Sequence, residues 1–144
     1  MVNEDTINLL KECDAGVKMG VSAIDDVLND VKNSDMLKLL KESKAHHEKL
    51  GNEIHSLLIE YGSEEKEPNI MAKGMSWLKT NMKMEMNGSD STIADLITDG
   101  CNMGVKSLNE YLNQYENAED HVRDICKRLI RIEDELCKEL RVYL

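Results

Sequence analysis

The side chains of this chain with the type and spacing to do chemistry are few. His47 lies on an apolar helical seam with Leu40, Leu50 and Ile54, and Glu133 lies on another with Leu129 and Leu136. An imidazole facing a carboxylate between apolar layers is either a hydrogen-bonded core pair or two donors toward a single divalent ion, with Asp14 or Glu48 as further oxygen donors. The core pair is favoured, because a buried polar group needs a partner simply to persist. Asp14 interrupts the seam of the first helix, and the pattern puts Lys106, Tyr111 and Arg128 at its level. It reads as a paired structural carboxylate rather than a catalytic one. Met82, Met84 and Met86 alternate in the way that thioethers offered to copper(I) would. Steps of two on a helix spread side chains around the cylinder, so ordinary packing explains them better.

The remaining reactive types give no constellation. Cys13, Cys101, Cys126 and Cys137 show no C-x-x-C spacing and fall within helical patterns, which reads as reduced, partly buried thiols. His46, His55 and His121 look exposed or rim-facing and have no histidine four residues away. There is no glycine-rich phosphate loop, nucleophile elbow or Ser-His-Asp order. The residues imply no resident cofactor, a single divalent ion at His47 and Glu133 being the alternative.

Helices must position these groups. Ile7, Leu10, Val17, Val21, Ile24, Leu28 and Val31 keep steps of three and four, predicting a first helix over about Glu4 to Lys32. Ser34 is its successor's expected cap, and a second helix over about Asp35 to Tyr61 ends at Gly62-Ser63. After the charged stretch Glu64 to Glu67, Pro68 suits the first turn of a third helix, about Asn69 to Met86. That piece carries a stripe of Met71, Met75, Leu78 and Met82 with Trp77 beside it, and Asn87-Gly88 closes it. A fourth helix, about Asp90 to Glu116, is capped by Ser89 or Asp90. Asn117 is the expected cap of a fifth, about Ala118 to Tyr143, with Asp120 as the reaching-back acid. The chain thus reads as one domain over 1–144, with a hairpin over 4–62, a crossover helix over 69–86 and a hairpin over 90–143.

The first helix is repeated in the fourth. Ala15 to Val31 aligns without a gap on Asp99 to Tyr115, 84 positions later. Gly16/Gly100, Met19/Met103, Gly20/Gly104, Val21/Val105, Leu28/Leu112 and Asn29/Asn113 are identical. With a two-residue slip in the turn, His46 to Leu58 aligns on Ile132 to Leu144, which pairs His47 with Glu133. Gly16 and Gly20, like Gly100 and Gly104, are four residues apart and so share a helix face. They are read as close-packing positions where the first and fourth helices cross, each glycine costing about 1 kcal/mol against alanine; space for a small ligand is the other reading.

Two long antiparallel hairpins joined by a crossover, with an internal repeat between them, resemble the ferritin-like superfamily over nearly the whole chain. The resemblance implies an all-α four-helix bundle whose hairpins are related by a pseudo-twofold axis. In di-iron members it implies a Glu on the first and third bundle helices and Glu-x-x-His on the second and fourth. Counting residues along each helix puts Gly20, His47, Gly104 and Glu133 at one middle level. Two glycines therefore stand where carboxylates are required, and Lys44 and Ile130 occupy the positions three before His47 and Glu133. The resemblance thus implies a fold whose di-iron ligand set has been lost.

The formal net charge of -10, with no basic stripe among the 18 Lys and Arg, argues against nucleic-acid and anionic-membrane partners. The acidic, polar start, Met-Val-Asn-Glu-Asp-Thr, shows no secretory signal, and no apolar run reaches the ~20 residues of a membrane span. These features predict a cytoplasmic protein that acts by contact with a protein partner or by binding a small ligand. The methionine stripe of the crossover offers a surface for homodimerisation.

Overall fold

The computed structural model describes residues 2–63 and 89–144. Among them are four α-helices and no strand: α1 (Glu4–Leu28), α2 (Ser34–Glu60), α3 (Asp90–Gln114) and α4 (Asp120–Leu140), the last continued by a 3-10 turn over Arg141–Tyr143. The fold is an all-helical four-helix bundle. The expected crossover helix over 69–86, with its methionine and tryptophan stripe and the Met82, Met84 and Met86 alternation, lies outside the described residues.

The first three helices start on a local cap. The Asn3 side chain accepts from the Thr6 amide, and Ser89 accepts from that of Thr92, so both first turns have a cap. The cap of α2 is Asn33, not the expected Ser34: its side chain accepts from the amides of Asp35 and Met36. At the other end of α2, Gly62 takes φ +66°. The Ser63 amide then reaches the Leu58 carbonyl (2.9 Å) and the Gly62 amide that of Ile59 (3.0 Å), a Schellman stop that a residue with a Cβ would strain. The first helix ends at Leu28, four residues short of expectation, because the chain turns at Asn29 and Asp30.

The start of α4 departs most from the sequence reading. Its N-cap is Glu119, and no side chain caps it locally, so neither Asn117 nor Asp120 plays the expected part. The other hairpin supplies what is missing. Thr6 Oγ1 accepts from the Glu119 amide (2.9 Å), Asp5 accepts from the Asn117 amide (3.1 Å), and the Asn3 amide group donates to the Asn117 carbonyl (2.8 Å). At the opposite end Asp90, in the first turn of α3, accepts from the amides of Lys32 (2.8 Å) and Asn33 (2.9 Å) in the α1–α2 turn. The start of each hairpin holds the turn of the other.

These contacts fix the directions of the helices. The start of α1 lies beside the α3–α4 turn, and the α1–α2 turn lies beside the start of α3, so α1 and α3 are antiparallel. The Tyr61 hydroxyl at the end of α2 is hydrogen-bonded to His121 at the start of α4, so α2 and α4 are antiparallel too. The end of α2 and the start of α3 consequently stand at opposite ends of the bundle. Packed side chains join α1 to each of the other helices, while α2 and α3 face each other across the diagonal.

The buried apolar side chains form two clusters stacked along the bundle axis. One is built around Leu9, Leu10, Cys13 and Val17 of α1 with Leu50, Ile54, Leu108, Ile125 and Leu129. The other gathers Ile24 and Val27 with Met36, Leu40, Ile93, Ile97, Leu136 and Leu140. Among the described residues no helix is long and apolar enough to cross a membrane.

Candidate functional site

Each helix contributes one residue to the layer between the two clusters: Gly20 from α1, His47 from α2, Gly104 from α3 and Glu133 from α4. Their neighbours along each helix belong to opposite clusters: Val17 and Ile24, Leu40 and Leu50, Cys101 and Leu108, Leu129 and Leu136. The level found by counting residues is therefore a polar interruption of the core. His47 is 1% exposed and Glu133 6%.

The histidine is oriented by its own helix. Its Nδ1–H donates to the Ser43 carbonyl one turn earlier (2.8 Å), which turns Nε2 toward the bundle interior. The ring lies against the backbone of Gly20, where a Cβ would come within 2.7 Å of both Cδ2 and Nε2. Gly104 does the same for Glu133, whose carboxylate fills the place a Cβ would need. Gly20 and Gly104 thus make room for a side chain of the partner helix in their own hairpin.

That use differs from the expected close crossing of α1 and α3 along four glycines. A Cβ on Gly16 would meet Leu129 Cδ2 at 3.3 Å and Leu108 Cδ2 at 3.8 Å, while one on Gly100 would meet nothing within 4 Å among the described residues. The four glycines do not form one packing face. The close approach that the sequence reading passed over is at Gly51, where a Cβ would lie 2.9 Å from Val17 Cγ1.

His47 Nε2 and Glu133 Oε1 are 3.8 Å apart. That is ion-pair distance but longer than a hydrogen bond. Nε2, Glu133 Oε2 and the Ser43 hydroxyl are buried without a hydrogen-bond partner among the described residues. Burial pushes the Glu133 carboxyl above its ordinary range, and the adjacent His47 pulls it back in part. Cys101 is close enough to feel the same carboxylate: its thiol is raised well above the ordinary range by burial first and by Glu133 second. The layer buries one acid and one base that face each other.

The other candidates lie apart from it. Asp14 is 3% exposed and ion-paired with Lys18 one turn on (3.1 Å). It precedes Gly20 by six residues, about 9 Å of helix rise. Arg128, expected near Asp14, makes a bidentate pair with Glu53 (2.9 and 2.7 Å) and also holds Asp124 (2.9 Å). Lys106 and Glu48 are exposed. Tyr111 stacks on Tyr115, and burial followed by the nearby Glu12 raises its hydroxyl. Among the described residues no group of three or more His, Cys, Asp or Glu side chains could hold a metal ion. All four cysteines are buried and free.

A second small constellation sits at the end of the bundle that holds the α3–α4 turn, and the sequence did not suggest it. Tyr61 is hydrogen-bonded to His121 Nε2, and His121 Nδ1 is 3.5 Å from Glu119 Oε2. Burial, then Glu119 and Glu60, raise the Tyr61 hydroxyl, so it stays protonated and serves to tie α2 to α4. Compared with known proteins, the chain matches no family model, no curated protein and no solved structure.

Proposed function

We infer that this protein is a ferritin-like bundle without a di-iron centre, a non-catalytic cytoplasmic module that acts by contact with a protein partner or by binding a small ligand. The directions of the helices support the ferritin-like topology: α1 and α4 run one way, α2 and α3 the other. The observation that carries the functional reading is the composition of the mid-bundle layer. Di-iron chemistry in this architecture needs about six inward ligands to bind and bridge two metals, and here the layer offers one imidazole and one carboxylate beside two glycines. The space the glycines leave is filled by His47 and Glu133 themselves.

Elemental analysis of the protein as purified tests this. The expected result is a colourless protein with well under one equivalent of iron per chain, and about two tightly held irons would overturn the reading.

A second reading, one divalent ion held by His47 and Glu133, is favoured by a different observation. His47 Nε2 and Glu133 Oε2 are buried electron-pair donors without a hydrogen-bond partner among the described residues, and Nε2 stands 3.8 Å from the other oxygen of the carboxylate. Under it, Fe, Mn or Zn raises the melting temperature of the parent and not that of His47→Ala, since binding to the native state must stabilise it. No shift with any of the three in the parent removes this alternative.

A further inference from the structure

Two hairpins whose apolar faces follow one repeated pattern have a recognition problem. Apolar contact is non-directional, and the repeat pairs Leu9 with Ile93, Ile24 with Leu108, Leu50 with Leu136 and Ile54 with Leu140, all buried. The end clamps are reciprocal as well, each hairpin start holding the other's turn. Such a surface suits an isologous pair, in which a hairpin could accept a copy of itself from a second chain as readily as the other half of its own.

The polar layer breaks this equivalence. The repeat aligns His47 with Glu133, and each lies over the glycine of its own hairpin, so the two seats match while their occupants differ. The occupants meet across the hairpin interface, His47 Nε2 facing Glu133 Oε1 at 3.8 Å. We propose that His47 and Glu133 are the selectivity pair of the bundle: they make the α1–α2 hairpin accept an α3–α4 hairpin and reject a second α1–α2 hairpin.

Like pairs in this layer are unfavourable for definite reasons. Two Glu133 carboxylates facing each other in a buried layer cannot both be ionised. Two His47 rings, each with Nδ1–H committed to its own Ser43 carbonyl, would present Nε2 to Nε2 and could not both be charged. A buried polar pair gains little net stability over an apolar one. What it supplies is discrimination, through the penalty it places on the wrong partner.

The test uses full-length chains in which the pair is made alike. Glu133→His gives histidine on both hairpins, and His47→Glu gives glutamate on both. Each alone is expected to melt at least about 5 °C below the parent, and the double exchange H47E/E133H is expected to recover more than half of that loss. When the two single variants are unfolded, mixed in equal amounts and refolded together, exchange of hairpins between chains restores two His–Glu layers. Native mass spectrometry should then show dimers in which the 1:1 heterodimer well exceeds the statistical share of about half. If a single variant does not fold alone, its rescue by the other in the mixture still supports the proposal. Single variants as stable as the parent, a double exchange no better than the singles, or a mixture with no heterodimer excess would each overturn it.

Discussion

At the scale of the residue, the fold is most exacting where a missing Cβ seats a neighbouring ring. Gly20→Ala introduces a Cβ within 2.7 Å of the His47 ring, which its bond to Ser43 holds in place. The helix gains about 1 kcal/mol of propensity, but overpacking of this kind costs about 1–3 kcal/mol, so a net loss is expected in urea unfolding. Gly100→Ala is the internal control: among the described residues nothing lies within 4 Å of its Cβ, and it should stabilise the protein by about 1 kcal/mol. Equal effects at the two positions would show that the seat is not built around the imidazole. Glu133 gives a pH dependence whose sign follows from its burial. Its folded-state pKa is raised above the ordinary 4.5, so the folded protein holds that proton more tightly than the unfolded chain does. The ionised form costs stability at neutral pH, and the cost falls away as pH drops through the raised value toward 4.5. Glu133→Gln is expected to raise stability at neutral pH and to remove this gain on mild acidification, as read from melting temperatures across that window. The levels of His47 and Glu133 were legible from residue counting alone. The use of Gly20 and Gly104 was not, because helical spacing says which residues share a level and nothing about how deep a ring reaches across it.

At the scale of the element, the helices were legible in number and periodicity wherever they are described, and less so at their ends. Apolar steps of three and four placed α1 to α4, since burial of a stripe is what stabilises each helix. The ends are decided by bonds that a local reading does not weigh. Asn33 stands as the cap in place of Ser34, its side chain accepting from two amides, those of Asp35 and Met36. Glu119 caps α4 without a side-chain bond because Thr6, over a hundred residues earlier, accepts from its amide. Such partners are invisible to a pattern search, which sees only neighbours in sequence. Asp90 is the matching device at the other end, and Asp90→Ala removes the acceptor of two turn amides. A loss of about 1–2 kcal/mol is expected, with faster hydrogen exchange at Lys32 and Asn33 and none at Asn117, whose amide is held by Asp5 instead. Exchange that quickens evenly at both ends would mean that the two clamps are not independent.

At the scale of the whole molecule, composition and periodicity sufficed for the fold class: Pro once, Phe never and a helical rhythm leave little but a helical bundle. The division of its interior was harder to foresee, since the continuous seams of Leu, Ile and Val do not reveal that a polar layer cuts the core in two. The surroundings of Asp14 were not legible for a related reason. Lys18, one turn on, supplies its cation locally, while Arg128 pairs with Glu53 of the neighbouring α2. The distribution of sulfur follows the same division. Cys13 and Cys126 belong to one cluster and Cys101 and Cys137 to the other, all four buried and free. The hydrogen bond with Cys126, then burial, hold the Cys13 thiol well above its ordinary range, and burial does the same for Cys101. Cys13 in one half and Cys101 in the other thus react as thiolates when their own half opens to water. Each end of the molecule therefore carries its own built-in alkylation clock, and the order in which a small electrophile marks the two sets records which end breathes first.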